Sequence, residues 1–266
     1  MSKRIWTVWT ILGTLACLAA TATSAHSRDV SVEVLNAGGS RFEQFPVSDG
    51  GTIHRAYLRA ERNARYLIRV RNCTGDRVGV VVAVDGRNII SGSKSNLERG
   101  EPMYILGPYE SQDYSGWRTS MSDVHEFFFT EWKDSYAEAF GDRSARGVIA
   151  VAVYREKPRP LPKLSQAPRD RAESAPAPSA DNRGNASGEV AKAERRKDAE
   201  PGTGFGDQRY EPVTWVEFEA EKRVSARIFL KYEWQETLCR KGVIDCGEKN
   251  RFWNDDFAFA PFPPGR

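Results

Sequence analysis

Apolar and polar positions alternate through residues 65–92, R-Y-L-I-R-V-R-N-C-T-G-D-R-V-G-V-V-V-A-V-D-G-R-N-I-I-S-G. Tyr66, Ile68 and Val70 interleave with Leu67, Arg69 and Arg71, the period of two that marks a strand with one buried and one partly wet face. Turn formers at 72–76 break the pattern. Residues 78–84 are then almost purely β-branched, which predicts a central strand buried on both faces. Asp85-Gly86 sits between apolar runs, where glycine's tolerance of positive φ favours a tight hairpin, with 87–91 as the returning strand. A second near-continuous run, G-V-I-A-V-A-V-Y at 147–154, is the natural neighbour of 78–84 in the middle of a sheet.

Weaker patterns fill in around these two runs. Val30, Val32 and Val34 alternate with Ser31 and Glu33, and 41–47 and 53–60 each suggest one more strand. Residues 93–102 read as a loop, and 103–106 as a short strand that Gly107-Pro108 closes, placing it at an edge. Segments 109–118 and 124–130 suit strands, whereas S-Y-A-E-A-F at 135–140 predicts one helical turn stopped by Gly141. Further on, 213–218 and 226–234 alternate as two strands around a charged turn at 219–223. The expected fold is all-β: an antiparallel β-sandwich at 26–155, and a C-terminal β-hairpin with an aromatic tail at 205–266. A lone hairpin is marginal in water, so the C-terminal segment is expected to dock on the sandwich. Phe252, Trp253, Phe257, Phe259 and Phe262 concentrate in the tail and call for burial.

Composition divides the chain further. Residues 156–204 are expected to be a disordered linker, rich first in proline and then in mixed charge, without the aromatic side chains that could offset chain entropy. At the N-terminus, Lys3 and Arg4 precede an apolar run and the small residues of 21–25, the layout of a signal peptide spanning 1–25. Such a leader implies a periplasmic or secreted protein. An uncleaved leader, or a lipidated Cys17 in the L-A-C box, is the only expected contact with a membrane. Loss of the leader removes two cations and no acid, lowering the formal charge from +3 to about +1. No clustered basic stretch remains to favour nucleic acid. In an oxidising compartment Cys239 and Cys246 are expected to pair, while Cys73 reads as a small buried apolar residue.

Candidate chemistry is sparse. His26, His54 and His125 are scattered and no cysteine pair has ligand spacing, so neither a metal nor a cofactor is expected. G-T-G-F-G at 202–206 lacks the Lys-Ser/Thr ending of a phosphate loop and reads as a flexible lead-in. Asp123 and His125 share a strand face, but no nucleophile accompanies them. The sequon at Asn72-Cys73-Thr74 is expected to be a short-motif coincidence. Asp85, Arg87 and Asn88 at the hairpin tip, with Trp117 and Arg118 on a later strand, form the one polar set that suits a surface ligand patch, an aromatic platform flanked by arginine forks. A structural reading makes Trp117 core packing and Arg118 an ion-pair partner.

V-V-A-V-D-G-R-N-I-I-S-G, Y-I-L-G-P-Y, S-G-W-R, S-Y-A-E-A-F-G and G-V-I-A-V-A-V-Y, spread over 66–154, resemble a family of exported bacterial proteins to which no activity is assigned. K-Y-E-W-Q-E-T-L-C near the C-terminus adds a second piece. The resemblance implies a compact exported domain and carries over no catalytic residue. The expected function is therefore a non-enzymatic binding or structural protein of the bacterial envelope, with an envelope protein or a glycan as partner. The alternative is a carbohydrate-binding module using Tyr109, Tyr114, Trp117 and Trp132.

Overall fold

The computed structural model describes residues 25–27, 29–158 and 200–246. The expectations for the leader, for Cys17, for 159–199 and for the aromatic tail lie outside the described residues.

In chain order the strands are β1 (Ala25–His26), β2 (Val30–Asn36), β3 (Gln44–Gly50), β4 (Ile53–Ala60), β5 (Arg65–Asn72), β6 (Val78–Val84) and β7 (Arg87–Asn88). They continue with β8 (Tyr104–Leu106), β9 (Ser111–Tyr114), β10 (Gly116–Arg118), β11 (Asp123–Glu131), β12 (Val148–Arg155), β13 (Pro201–Thr203), β14 (Gln208–Tyr210) and β15 (Ala226–Trp234). A 3-10 turn at Trp132–Asp134 and two short α-helices, α1 (Tyr136–Ala139) and α2 (Gln235–Arg240), complete the described elements. One sheet runs β1-β2-β5-β11-β10, with β9 on β5 and both β13 and β14 on β11; the other runs β3-β4-β15-β12-β6-β7, with β8 on β6. The two pack face to face as a sandwich.

The strongest patterns land where they belong. β6 and β12 are adjacent and antiparallel, with Val82 opposite Val151. Both faces of β6 are covered: Val80, Val82 and Val84 face the core between the sheets, and Val81 and Ala83 join an outer cluster with Leu97 and Tyr154. Asp85 and Gly86 have φ of 50° and 81°, the double positive φ of a two-residue hairpin turn. Only Arg87–Asn88 returns as strand before the chain turns again. Ser135 caps α1 by accepting the Glu138 N–H, and Gly141 ends the turn at φ 66°.

The C-terminal segment departs from expectation. It is no docked hairpin, because 213–218 forms no strand and β15 is instead a central member of the second sheet. β15 pairs antiparallel with β12 and parallel with β4 in register from Ile53 to Ala60, so the sandwich is mixed in one sheet. Its alternation reflects one face in the core, with Ile228, Leu230 and Tyr232 fully buried. The expected linker is also too long at its C-terminal end. Pro201–Thr203 is a buried strand on β11, and 202–206 is no loose lead-in, because Gly204 N–H and Gly206 N–H continue the pairing to Phe128 and Glu126 carbonyls. The glycines are there for clearance: a Cβ at Gly202 would stand 2.6 Å from Ser135 Cβ, and one at Gly206 2.8 Å from the Glu126 carbonyl.

Cys239, in the last turn of α2, forms a disulfide with Cys246 beyond the helix. Cys73 is exposed, contrary to its apolar reading, since it follows β5 into the turn instead of facing inward. Asn72 of the sequon is fully buried, its amide donating to the Asp76 and Gly107 carbonyls at 2.7 Å, so it closes a turn. Among the described residues no helix is long and apolar enough to cross a membrane.

Candidate functional site

The five residues expected to form a surface patch do not share a surface. Asp85 is fully buried beneath the hairpin turn, and its Oδ1 accepts the Gly147 N–H at 2.8 Å and the Tyr232 hydroxyl at 2.6 Å. Its Oδ2 accepts the Thr203 N–H at 2.8 Å. Because Tyr232 gives its proton to Asp85, the remaining hydroxyls are ordered behind it: Thr203 lies 2.9 Å from Tyr232, and Tyr66 lies 2.7 Å from Thr203. The relay joins β5, β13 and β15 to the β6–β7 turn. Burial pushes the Asp85 carboxyl up to about 6 despite its hydrogen bonds, and pushes the Tyr66 and Tyr232 phenols well above their usual range.

Trp117 is only 2% exposed, and its indole donates to the Gly204 carbonyl at 3.0 Å. Asp85 and Trp117 thus converge after all, on the backbone of 203–204. That is a scaffolding role, and the aromatic platform is withdrawn into the core because its face of β10 packs on Phe127 and Tyr136. Asn88 is buried and its amide donates to the Pro102 carbonyl, while Arg87 reaches the Gly92 carbonyl and lies over the Phe140 ring. Tyr114 and Trp132 are buried as well, so of the four aromatics of the carbohydrate reading only Tyr109 is exposed. His125 stacks on Phe205 and contacts the Gly206 carbonyl through Nδ1 at 2.8 Å, while Asp123 accepts from Ser120 and Ser122. The His125 contacts, with the β14 pairing, fasten 205–210 to β11, and the Asp123 contacts close the β10–β11 turn.

Of the five, Arg118 lines an open cavity. A groove of about 470 Å³ lies between β8, β9 and β10, and the extended stretch 211–220 passes over it from the first sheet to the second. Arg118 forms its polar floor: Nε donates to the Tyr104 hydroxyl at 2.7 Å, Nη1 to the Glu211 carbonyl at 2.8 Å, and Nη2 to the Glu211 carboxylate at 3.0 Å. The same carboxylate accepts the N–H and O–H of Ser115. Tyr104 stacks on Tyr114 at 4.2 Å, one ring from each sheet. The Tyr114 hydroxyl is buried in the groove wall and has no hydrogen-bond partner among the described residues. An orphaned buried hydroxyl costs about 1–3 kcal/mol unless something completes it. At the rim stand Met121, Val216 and Trp215, the last 86% exposed.

Of this groove the sequence reading named only Arg118 and Tyr114. The alternation of Val213, Trp215 and the residues around them reads as strand, yet it belongs to a crossing segment with an unsupported outer face. Pro212 beside exposed aromatic and β-branched residues was the available signal.

No protein-family model, curated protein or solved structure matches the chain.

Proposed function

We propose that the chain is an exported, non-enzymatic binding protein of the bacterial envelope, periplasmic or secreted, and that it takes its partner in the groove beneath 211–220. The observation carrying this reading is the buried Tyr114 hydroxyl, without a partner among the described residues, in a cavity rimmed by exposed Met121, Trp215 and Val216. A concave, mainly apolar site with one polar group left to complete is the usual form of a recognition site. Arg118 and Glu211 support binding in preference to catalysis, because each is held by the other and by neighbouring backbone, leaving neither free to move a proton. The cysteine pair and the leader-like N-terminus support export.

The test is affinity capture from envelope extract with the full mature chain, compared with Trp215→Ala/Met121→Ala. A partner held by the wild type should be lost from the variant, since an exposed tryptophan at a rim is a common anchor worth about 2 kcal/mol or more. Identical captures would remove the groove from the function. The ring of Trp215 beside Gln112 and Thr214 supports the carbohydrate alternative, and a glycan array with the same pair of proteins separates the two readings.

A further inference from the structure

We infer that the outer face of the second sheet carries a second binding site, independent of the groove, for a phosphate-bearing anion. Four cations, Arg99, Lys222, Arg223 and Arg227, line a hollow of about 700 Å³ whose floor includes Tyr154, with Glu98 as the single acidic side chain in the lining. None of the four cationic side chains has an ion-pair or hydrogen-bond partner among the described residues. That is unlike much of the folded body, where Arg41, Arg62, Arg69, Arg77, Arg118 and Arg155 are all matched to carboxylates. Acids near the hollow are engaged elsewhere: Glu219 with Lys157, and Glu101 with Ser95 and the N–H groups of its own loop.

Both walls of the hollow are held in place. The Arg99 wall is the loop after β7, folded around the Glu101 carboxylate, which accepts the N–H groups of Asn96 at 2.8 Å and Glu98 at 2.9 Å and the Ser95 hydroxyl at 2.6 Å. The Leu97 carbonyl in that loop accepts the Tyr154 hydroxyl at 2.6 Å, tying the wall to the floor. Opposite, 219–225 is laced to β12: Lys157 N–H donates to the Glu219 carbonyl, Glu221 N–H to Arg155, and Ser225 N–H to Val153. Arg227 projects from the outward face of β15 into the same space. Four like charges in one hollow repel one another, and a cleft of one sign concentrates counter-ions. Three guanidinium forks favour phosphate oxygens, which they engage in pairs. The hollow is large enough for more than the anion itself, so the ligand is a phosphate ester or the headgroup of an anionic phospholipid, the shared chemistry being the phosphate.

The experiment is titration calorimetry of the full mature chain with inorganic pyrophosphate, alongside co-sedimentation with vesicles of phosphatidylglycerol in phosphatidylcholine. Saturable pyrophosphate binding is expected, weakened about tenfold or more in Arg99→Ala/Arg227→Ala and unchanged in Trp215→Ala, which touches only the groove. Vesicle binding displaced by pyrophosphate identifies a lipid headgroup, and pyrophosphate binding without vesicle binding identifies a soluble ester. Should the first pair fail to fold, Lys222→Ala/Arg223→Ala on the exposed turn carries the same direction of change. The site is overturned if neither probe binds, if the folded variants bind as the wild type does, or if succinate binds as tightly as pyrophosphate.

Discussion

Asp85 accepts three hydrogen bonds and still titrates near 6, because no solvent reaches its carboxylate. Its folded value lies above the ordinary 3.8, so the native state binds the proton more tightly than the unfolded chain does. The stability this residue supplies is whole below about pH 4 and declines as pH rises through 6, by about 3 kcal/mol in all. Denaturant melts between pH 4 and 7 should show that slope, and Asp85→Asn should flatten it. The asparagine amide turns a donor toward the Thr203 N–H or another of the three donors, so the variant also loses about 1–3 kcal/mol at every pH. Thr203→Val, which strands the Tyr66 and Tyr232 hydroxyls together, should cost a similar amount and leave the pH slope in place. In sequence, Asp85 was legible as half of an Asp-Gly turn, and the turn is there. Its buried relay was not, since three of its four members lie on strands that only the tertiary fold brings together.

At the level of elements, continuity of apolar character was the dependable signal. β6 and β12 are buried on both faces, and few sequences other than a sheet centre need that. Alternation was weaker, because it reports that one side of a segment faces something apolar without saying whether the backbone is paired. Hence β15 was recovered and 213–218 was mistaken for its twin. The glycines of 202–206 misled in the opposite direction: glycine at every second position reads as flexibility, yet here it lets one strand lie close against β11 and the residues beside it. Gly202→Ala tests this directly. Its methyl would press on Ser135 Cβ and stand 3.2 Å from Trp132 Cα, so backbone must move, and thermal unfolding should report a loss of about 1–3 kcal/mol. The shift also disturbs the Ser135 cap of α1, so Gly202→Ala and Ser135→Ala combined should fall short of additive in a double-mutant cycle.

On the scale of the whole molecule, a sandwich was legible and its closure was not. Nothing in a local pattern tells β4 that its parallel neighbour lies more than a hundred and fifty residues downstream, and partner choice is settled by long-range burial that a period of two leaves open. The consequence is that segments 29–158 and 200–246 are one folding unit. β15 fills the gap between β4 and β12, and without it both strands present bare edges. Ile228, Leu230, Tyr232 and Trp234 would leave the core with it. At about 1.5–3 kcal/mol for each large buried side chain, that loss is roughly 6–12 kcal/mol, as large as the whole stability of an ordinary domain. Residues 26–155 expressed alone should therefore be unfolded or aggregated, and residues 200–266 alone should lack cooperative structure. Supplied together they should form a one-to-one complex with a single unfolding transition. A full chain severed at a protease site engineered between 159 and 199 should elute as one particle of unchanged size until denaturant separates the pieces. A cooperative melt from residues 26–155 alone would show that β15 merely borders a sandwich already complete without it.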